Sequence, residues 1–176
     1  EQVRDRIDRL MRSAEFAGLQ RQNPLGIAFI GLTKHLLERF GDQGLQYRTE
    51  FPATDLFPGL QLPGRSSAPK IDIAAFRGNE LRAIVSNKWS IRHDRVGDLV
   101  SECRAYKAAG MWSHGFLYIV VTNEFDPSRL SKVITDQCAD YAVHVHKSMV
   151  TDVCHLDGRL ENLIDLVDLV RSTTTW

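Results

Sequence analysis

The chain has 176 residues, in which 22 Lys and Arg are balanced by 22 Asp and Glu, so its formal net charge is zero. This length predicts a single domain over residues 1–176, which could be part of a longer chain. Its core is expected to be large enough to be stable without a disulfide or a structural metal. A globally basic protein is excluded, so any surface that binds nucleic acid must gather its basic residues locally.

The first third of the chain predicts two helices, a strand and a loop. Residues 2–19 carry apolar side chains at helical spacing among charged ones, which predicts an amphipathic surface helix. Residues 25–40 form a more apolar run that ends at Gly41, which predicts a core helix. Residues 44–50 are predicted as a strand, and the Pro- and Gly-rich segment 51–67 as a loop.

A β-hairpin is predicted next, from two largely apolar runs, 70–76 and 81–89, joined by a short link that contains Gly78. Alternation along the strands puts Asp72 on one face of the first run, and Ser86 and Lys88 on one face of the second. An acidic and a basic residue on neighbouring strands are commonly a plain cross-strand ion pair. From this pair alone, that reading is the simpler one.

The helix predicted over residues 94–109 adds a second carboxylate, because Glu102 lies on a helical stripe from which it can lean back over the hairpin. Two carboxylates, Asp72 and Glu102, beside the ammonium of Lys88 form an oxygen-rich site for a hard cation such as Mg²⁺. Such a site suits phosphodiester hydrolysis, in which the metal polarises the phosphate and the lysine orients the attacking water.

The rest of the chain alternates strands and helices. The apolar run 116–121 predicts a central strand that is covered on both faces, and Pro127 favours a helix over residues 126–137. Residues 141–145 predict a further strand and residues 160–170 a closing amphipathic helix. This order predicts an α/β sandwich with a central mixed β-sheet flanked by helices.

Asp72 followed by Ser86-Asn87-Lys88 resembles the PD-(D/E)xK nuclease signature, with Ser86 in place of its second acidic residue. One branch of the type II restriction endonucleases, which reads a CCGG core, carries Ser-x-Lys on this strand and a Glu on the following helix, where Glu102 stands. The run Lys-Trp-Ser-Ile-Arg-His-Asp-Arg from Lys88 is similar to the Lys-Trp-Thr-x-Arg-Ser-Asp-Arg run of that branch. Residues 118–130 and 140–146 resemble two further stretches of it.

The resemblance implies a restriction-endonuclease-like sandwich that cuts double-stranded DNA with Mg²⁺, as a homodimer or a higher homo-oligomer. In that reading Asp72 and Glu102 hold the metal, Lys88 serves the attacking water, and Ser86 lines the site. Many enzymes of this superfamily also place a Glu on the first core helix. At the expected position this chain has Ile30, so the remaining acidic candidates are Glu38, more simply a solvated last-turn residue, and Glu50.

Arg92, Asp94 and Arg95 are the predicted base-reading residues. The fork of an Arg side chain matches the O6 and N7 edge of guanine, and Asp accepts from the amino group of cytosine. A two-fold dimer would present this set to both halves of a CCGG palindrome. The alternative is that Asp94 caps the following helix and that both arginines are solvated.

Two other functions remain open from the sequence: a less specific repair nuclease on the same fold, and a non-catalytic DNA-binding module. A zinc site is a weaker possibility, because His144, His146, Cys154 and His155 match no standard closed spacing and are better read as packed or solvated.

Three cysteines, Cys103, Cys138 and Cys154, predict free thiols by their odd number, which is typical of a reducing compartment. No apolar run approaches the roughly 20 residues of a membrane span, and the charged start is unlike a signal peptide. A cytoplasmic location is therefore expected.

Overall fold

Short apolar runs form the strands of this chain, and longer runs with helical spacing form its helices. A computed structural model describes residues 24–62, 69–92, 96–110, 115–154, 156 and 160–176. Its helices and strands are, in chain order, α1 (Pro24–Phe40), β1 (Leu45–Pro52), α2 (Ala53–Leu56), β2 (Lys70–Arg77), β3 (Glu80–Lys88), α3 (Val96–Ala109), β4 (Leu117–Thr122), α4 (Pro127–Thr135), β5 (Tyr141–His144), α5 (Lys147–Val153), β6 (Leu163–Ile164) and α6 (Leu166–Ser172).

The strands form one six-stranded mixed sheet in the order β1-β2-β3-β4-β5-β6. The β1–β2 and β2–β3 pairs are antiparallel, and the pairs from β3 to β6 are parallel. Gly78 turns the predicted hairpin with φ of +61°, a conformation that glycine adopts without steric cost. The protein is therefore an α/β protein with helices flanking a mixed sheet, as predicted.

The sheet separates two hydrophobic cores because successive side chains along a strand point to opposite faces. On one face, Ala74 and Ile84 lie in the same buried cluster as Leu99 of α3 and Leu130 of α4. On the other face, the buried cluster combines strand residues with residues of α1 and α6, namely Phe29, Leu37, Ile73, Val85, Ile119, Val121 and Leu169. Helices thus cover both faces, and β4 lies in the interior of the sheet.

The predicted loop over 51–67 is partly wrong. Its first residues complete β1 and form the short helix α2, because Ala53 and Phe57 are buried and the Ala53 amide donates to the Pro69 carbonyl at 2.9 Å. Residues 63–68 lie outside the described part of the chain, as does the predicted helix over 2–19.

The predicted closing helix over 160–170 is also wrong in its first half. Leu163 pairs with Ala142 as part of the two-residue strand β6, and it is buried in the core. Asp165 then begins a new helix, since its side chain accepts from the Asp168 amide at 2.8 Å. Helix α5, over Lys147–Val153, had no counterpart in the prediction.

The prediction of free thiols is wrong for two of the three cysteines. Cys103 of α3 and Cys138, just after α4, form a disulfide across the packed pair of helices. Their Cα atoms lie 6.1 Å apart, which suits such a bond. Cys154 is not part of a disulfide. None of the helices among the described residues is both long and apolar enough to cross a membrane.

Candidate active site

Asp72 and Lys88 meet at one edge of the sheet, because β2 begins where its antiparallel neighbour β3 ends. The Nζ atom of Lys88 lies 2.9 Å from Oδ2 of Asp72. The Asn87 amide donates to the same oxygen at 2.7 Å, and the Ser86 hydroxyl lies 3.5 Å from it. Within the described residues, these hydrogen bonds to Asp72 all reach Oδ2 and none reaches Oδ1. The structure therefore brings together three of the predicted site residues, with one carboxylate oxygen left over.

This cluster opens into a cleft of about 720 Å³. One wall comes from α1, which contributes Ile30 and Lys34, and another from β1, which contributes Glu50. Asp72 and Lys88 line the floor and remain partly exposed, at 19% and 34% of their side-chain surface. A ligand that entered the cleft would therefore meet both side chains directly.

Glu102 is buried on α3, at 7% exposure, above the sheet face that carries Tyr118. Burial raises the pKa of Tyr118 well above its usual range, and the nearby Glu102 carboxylate raises it further. The nearby Ser86 hydroxyl lowers this pKa, and the Asp72 carboxylate raises it. Tyr118 is therefore a neutral phenol within electrostatic reach of both predicted carboxylates. Glu102 thus lies on the side of the sheet where Asp72 and Ser86 are.

The donor set suits Mg²⁺ better than a metal that needs a complete protein cage. Mg²⁺ usually keeps several waters and binds through one or two carboxylates together with substrate phosphates. Oδ1 of Asp72 is left over for such a role, and Glu102 is a further, buried carboxylate on this side of the sheet. No group of three or more His, Cys, Asp or Glu that could hold a metal occurs within the described ranges.

The accessory acidic candidates differ in their surroundings. Glu38 is exposed and pairs with Lys34 at 3.2 Å, as expected for a solvated last-turn residue. Ile30, at the position where the nucleases that the chain resembles often carry a helix Glu, presents an apolar side chain to the cleft. Glu50 lines the same cleft as Asp72 and has φ of +51°, a left-handed conformation that costs about 1–2 kcal/mol for a residue with a Cβ. Of Glu38 and Glu50, Glu50 is therefore the better placed to act as an accessory acidic residue beside Asp72.

The predicted base-reading segment is described only at its start. Arg92 is exposed, four positions beyond Lys88. Asp94 and Arg95 lie outside the described residues, so both the reading role and the capping alternative for Asp94 stay predictions. Helix α3 begins directly afterwards, at Val96.

Glu124, which the sequence did not single out, is the most densely hydrogen-bonded carboxylate near this segment. Its Oε2 accepts from the Ile91 amide at 2.7 Å and lies 3.4 Å from the Ser90 hydroxyl. Its Oε1 accepts from the Asp126 amide at 2.9 Å, and Nη1 of Arg129 lies 3.5 Å from its Oε2. An acidic residue two positions after a mostly apolar strand is a sequence signal for such a site, but its partners could not be read from the sequence.

His144 is a packed core residue, as the simpler reading predicted. Its Nε2 atom lies 2.9 Å from the Glu124 carbonyl, and its Nδ1 atom accepts from the His146 amide at 3.0 Å. Because Nδ1 accepts, the proton of the neutral ring is on Nε2. Burial lowers the pKa of His144 below its usual 6.5. His155, the fourth member of the hypothetical zinc set, lies outside the described residues.

Comparison with known proteins adds no relative: no protein-family model, curated protein or solved structure matches the chain.

Proposed function

We propose that the chain is a Mg²⁺-dependent, sequence-specific endonuclease that hydrolyses double-stranded DNA at a site with a CCGG-like core. The supporting observation is the Asp72–Lys88 pair, with Nζ and Oδ2 2.9 Å apart, on adjacent antiparallel strands in the floor of a cleft. A lysine and a carboxylate in contact within an open cleft are what the PD-(D/E)xK reaction needs.

The order of elements supports the finer proposal of a restriction-endonuclease-like sandwich. Apart from the four-residue helix α2 between β1 and β2, the elements α1, β1, β2, β3, α3 and β4 give a helix, three antiparallel strands, a second long helix and a parallel strand. Asp72, Lys88 and Glu102 then belong to the second strand, the third strand and the second helix of this unit, as the Ser-x-Lys variant of the signature requires.

Each residue has a defined part in the proposed hydrolysis. Lys88 has three N–H donors, of which Asp72 accepts one, so the others can orient a water and offset charge on the phosphate. Ser86 lines the site, with its hydroxyl 3.5 Å from Oδ2 of Asp72. Mg²⁺, bound through Asp72 and Glu102, would polarise the phosphodiester and promote ionisation of its bound water.

The cleft also suits a DNA backbone. Lys34 on one wall and Lys88 on the floor are each paired with a carboxylate, and both ammonium groups have further donors for a phosphate. The protein as a whole carries no net charge. A protein without a strong general attraction for DNA can reject wrong sequences more easily, since non-specific binding is largely electrostatic. Base reading is assigned to Arg92, Asp94 and Arg95, and a homodimer or higher homo-oligomer would read both half-sites.

A non-catalytic DNA-binding module is the second candidate, and one observation favours it. Ser86 replaces an acidic ligand, and Lys88 is paired directly with the remaining strand carboxylate, Asp72. A closed pair of this kind would leave DNA binding intact while preventing cleavage.

The test is cleavage of a supercoiled plasmid that contains CCGG sites, with the parent protein and with Asp72→Asn, each in Mg²⁺ and in EDTA. The proposal predicts cutting by the parent in Mg²⁺ alone and at least a hundredfold slower cutting by Asp72→Asn, a loss of the size expected for a charged transition-state contact, roughly 3–4 kcal/mol. Plasmid that stays intact while the parent still retards CCGG duplexes on a gel would favour the binding module.

A further inference from the structure

The pairing of β3 with its neighbour β4 ends at the segment that connects Lys88 to Arg92. The last register pair between β3 and β4 joins Lys88 to Thr122, and one further bond runs from the Asn123 amide to the Trp89 carbonyl at 3.3 Å. Among the described residues, no strand of the sheet hydrogen-bonds to the backbone of Ile91 beyond this point. The segment from Trp89 to Arg92, called the exit segment below, would be free to move unless side chains held it.

Side chains do hold it, at both backbone groups of Ile91. The Ile91 amide donates to Oε2 of Glu124 at 2.7 Å, and the Ile91 carbonyl accepts from Nη1 of Arg129 at 3.1 Å. Glu124 and Arg129 also pair with each other at 3.5 Å. Together they act on Ile91 as a neighbouring strand would, with one acceptor and one donor.

Glu124 is itself rigidly held. Its side chain is only 8% exposed, and a buried charge persists only when it is paired and hydrogen-bonded. Its second oxygen accepts from the Asp126 amide at 2.9 Å, and its backbone carbonyl is bound by His144 at 2.9 Å. The Glu124 carboxylate therefore connects the exit segment to the core of the sheet.

We propose that Glu124, paired with Arg129, is a positioning residue that fixes the path of the chain from Lys88 to Arg92. This inference rests on the proposed function, since it links the lysine that serves the reaction to the side chain that reads a base. Loss of the link leaves Lys88 and Asp72 in place but lets the reading segment shift. Cleavage then continues with poorer discrimination between the cognate site and its single-mismatch variants.

The test compares Glu124→Gln with a matched control, Asp42→Asn. Glutamine keeps the shape of Glu124 but has one carbonyl oxygen, so it cannot accept from both Ile91 and Asp126. Asp42 is a carboxylate that lies beside Arg77, the last residue of β2 and far along that strand from Asp72. It accepts from the Gly44 amide at 2.7 Å and from the Arg77 side chain at 3.0 Å. Both variants lose a charged hydrogen-bond acceptor, but only one of them loses it beside the exit segment.

Two quantities are measured: the hydrogen-exchange protection of the Ile91 amide, and the ratio of cleavage rates on a CCGG duplex and a single-mismatch duplex. Glu124→Gln is expected to lower both by roughly tenfold, the effect of one lost charged hydrogen bond. Asp42→Asn is expected to change neither, even if it lowers the melting temperature equally. If Glu124→Gln fails to fold, Arg129→Lys removes the contact to the Ile91 carbonyl, keeps the charge and predicts the same two changes.

The inference would be overturned if the cleavage-rate ratio and the protection of the Ile91 amide in Glu124→Gln both stayed within twofold of the parent values. It would also be overturned if hydrogen exchange became faster throughout the protein while the cleavage-rate ratio stayed unchanged. Failure of the proposed function looks different, because the parent itself would then cut no duplex. In that case the exchange measurement alone decides whether Glu124 holds the segment.

Discussion

Replacing Lys88 by alanine should abolish most of the activity and leave the fold nearly unchanged. The Lys88–Asp72 pair is partly exposed, at 34% and 19%, and ion pairs of this kind contribute only about 0–1 kcal/mol to stability. Asp72 keeps its hydrogen bond from the Asn87 amide at 2.7 Å, so it is not left unpaired. The expected loss of stability is therefore below about 1 kcal/mol.

The expected loss of activity is much larger, roughly a hundredfold to a thousandfold, because removing a preorganised donor to the transition state costs about 2.7–4 kcal/mol. Single-turnover cleavage of a CCGG duplex in Mg²⁺ measures it, and urea unfolding measures stability. Lys107→Ala is the control, since Lys107 pairs with Asp140 at 2.7 Å with exposures of 33% and 30%. Cleavage by Lys88→Ala at the parent rate, or an equal loss in Lys107→Ala, would refute the catalytic role.

Three further results are expected. First, the free energy of unfolding should fall as the pH is lowered, because burial lowers the pKa of His144 in the folded protein. Below pH 6.5 the unfolded chain therefore binds a proton at this residue that the folded chain does not. Urea unfolding between pH 7.5 and pH 5.5 should show this fall, by at most about 1.4 kcal/mol per pH unit for one group, and His144→Gln should flatten it. Second, reducing the Cys103–Cys138 disulfide, which spans a sequence separation of 35, should lower the free energy of unfolding by about 3–4 kcal/mol. Cys138→Ser should reproduce this loss and be insensitive to a dithiol, and equal stability of parent and variant would contradict it. Third, Arg92→Ala should reduce cleavage at the cognate site at least tenfold, since a bidentate base contact is worth about 1–3 kcal/mol of discrimination. Unchanged cleavage would instead indicate the less specific nuclease.

Local patterns were sufficient for the parts of the fold that depend on neighbouring residues. The hairpin followed from two apolar runs around Gly78, and the start of α4 from Asp126 and Pro127, where the Asp126 side chain accepts from the Arg129 amide at 3.0 Å. Alternation along the hairpin was also enough to bring Asp72, Ser86 and Lys88 together.

Features that depend on distant partners could not be predicted. The Cys103–Cys138 bond joins residues far apart in sequence, and only the packing of α3 against α4 shows that they meet. Glu124 is similar, since its partner Ile91 lies 33 positions away. In the segment 160–170, apolar residues at helical spacing mimicked one helix, but Leu163 is buried as a strand residue, which overrides the local preference.

The central claim is tested most directly by incubating the parent protein with Mg²⁺ and mixed-sequence DNA and then sequencing the fragment ends. Ends that share a CCGG-containing motif are the predicted result, because they require the Asp72–Lys88 site and the Arg92 segment to act together. Ends of random sequence would contradict the assignment of specificity while leaving a nuclease, and uncut DNA would contradict the assignment of catalysis.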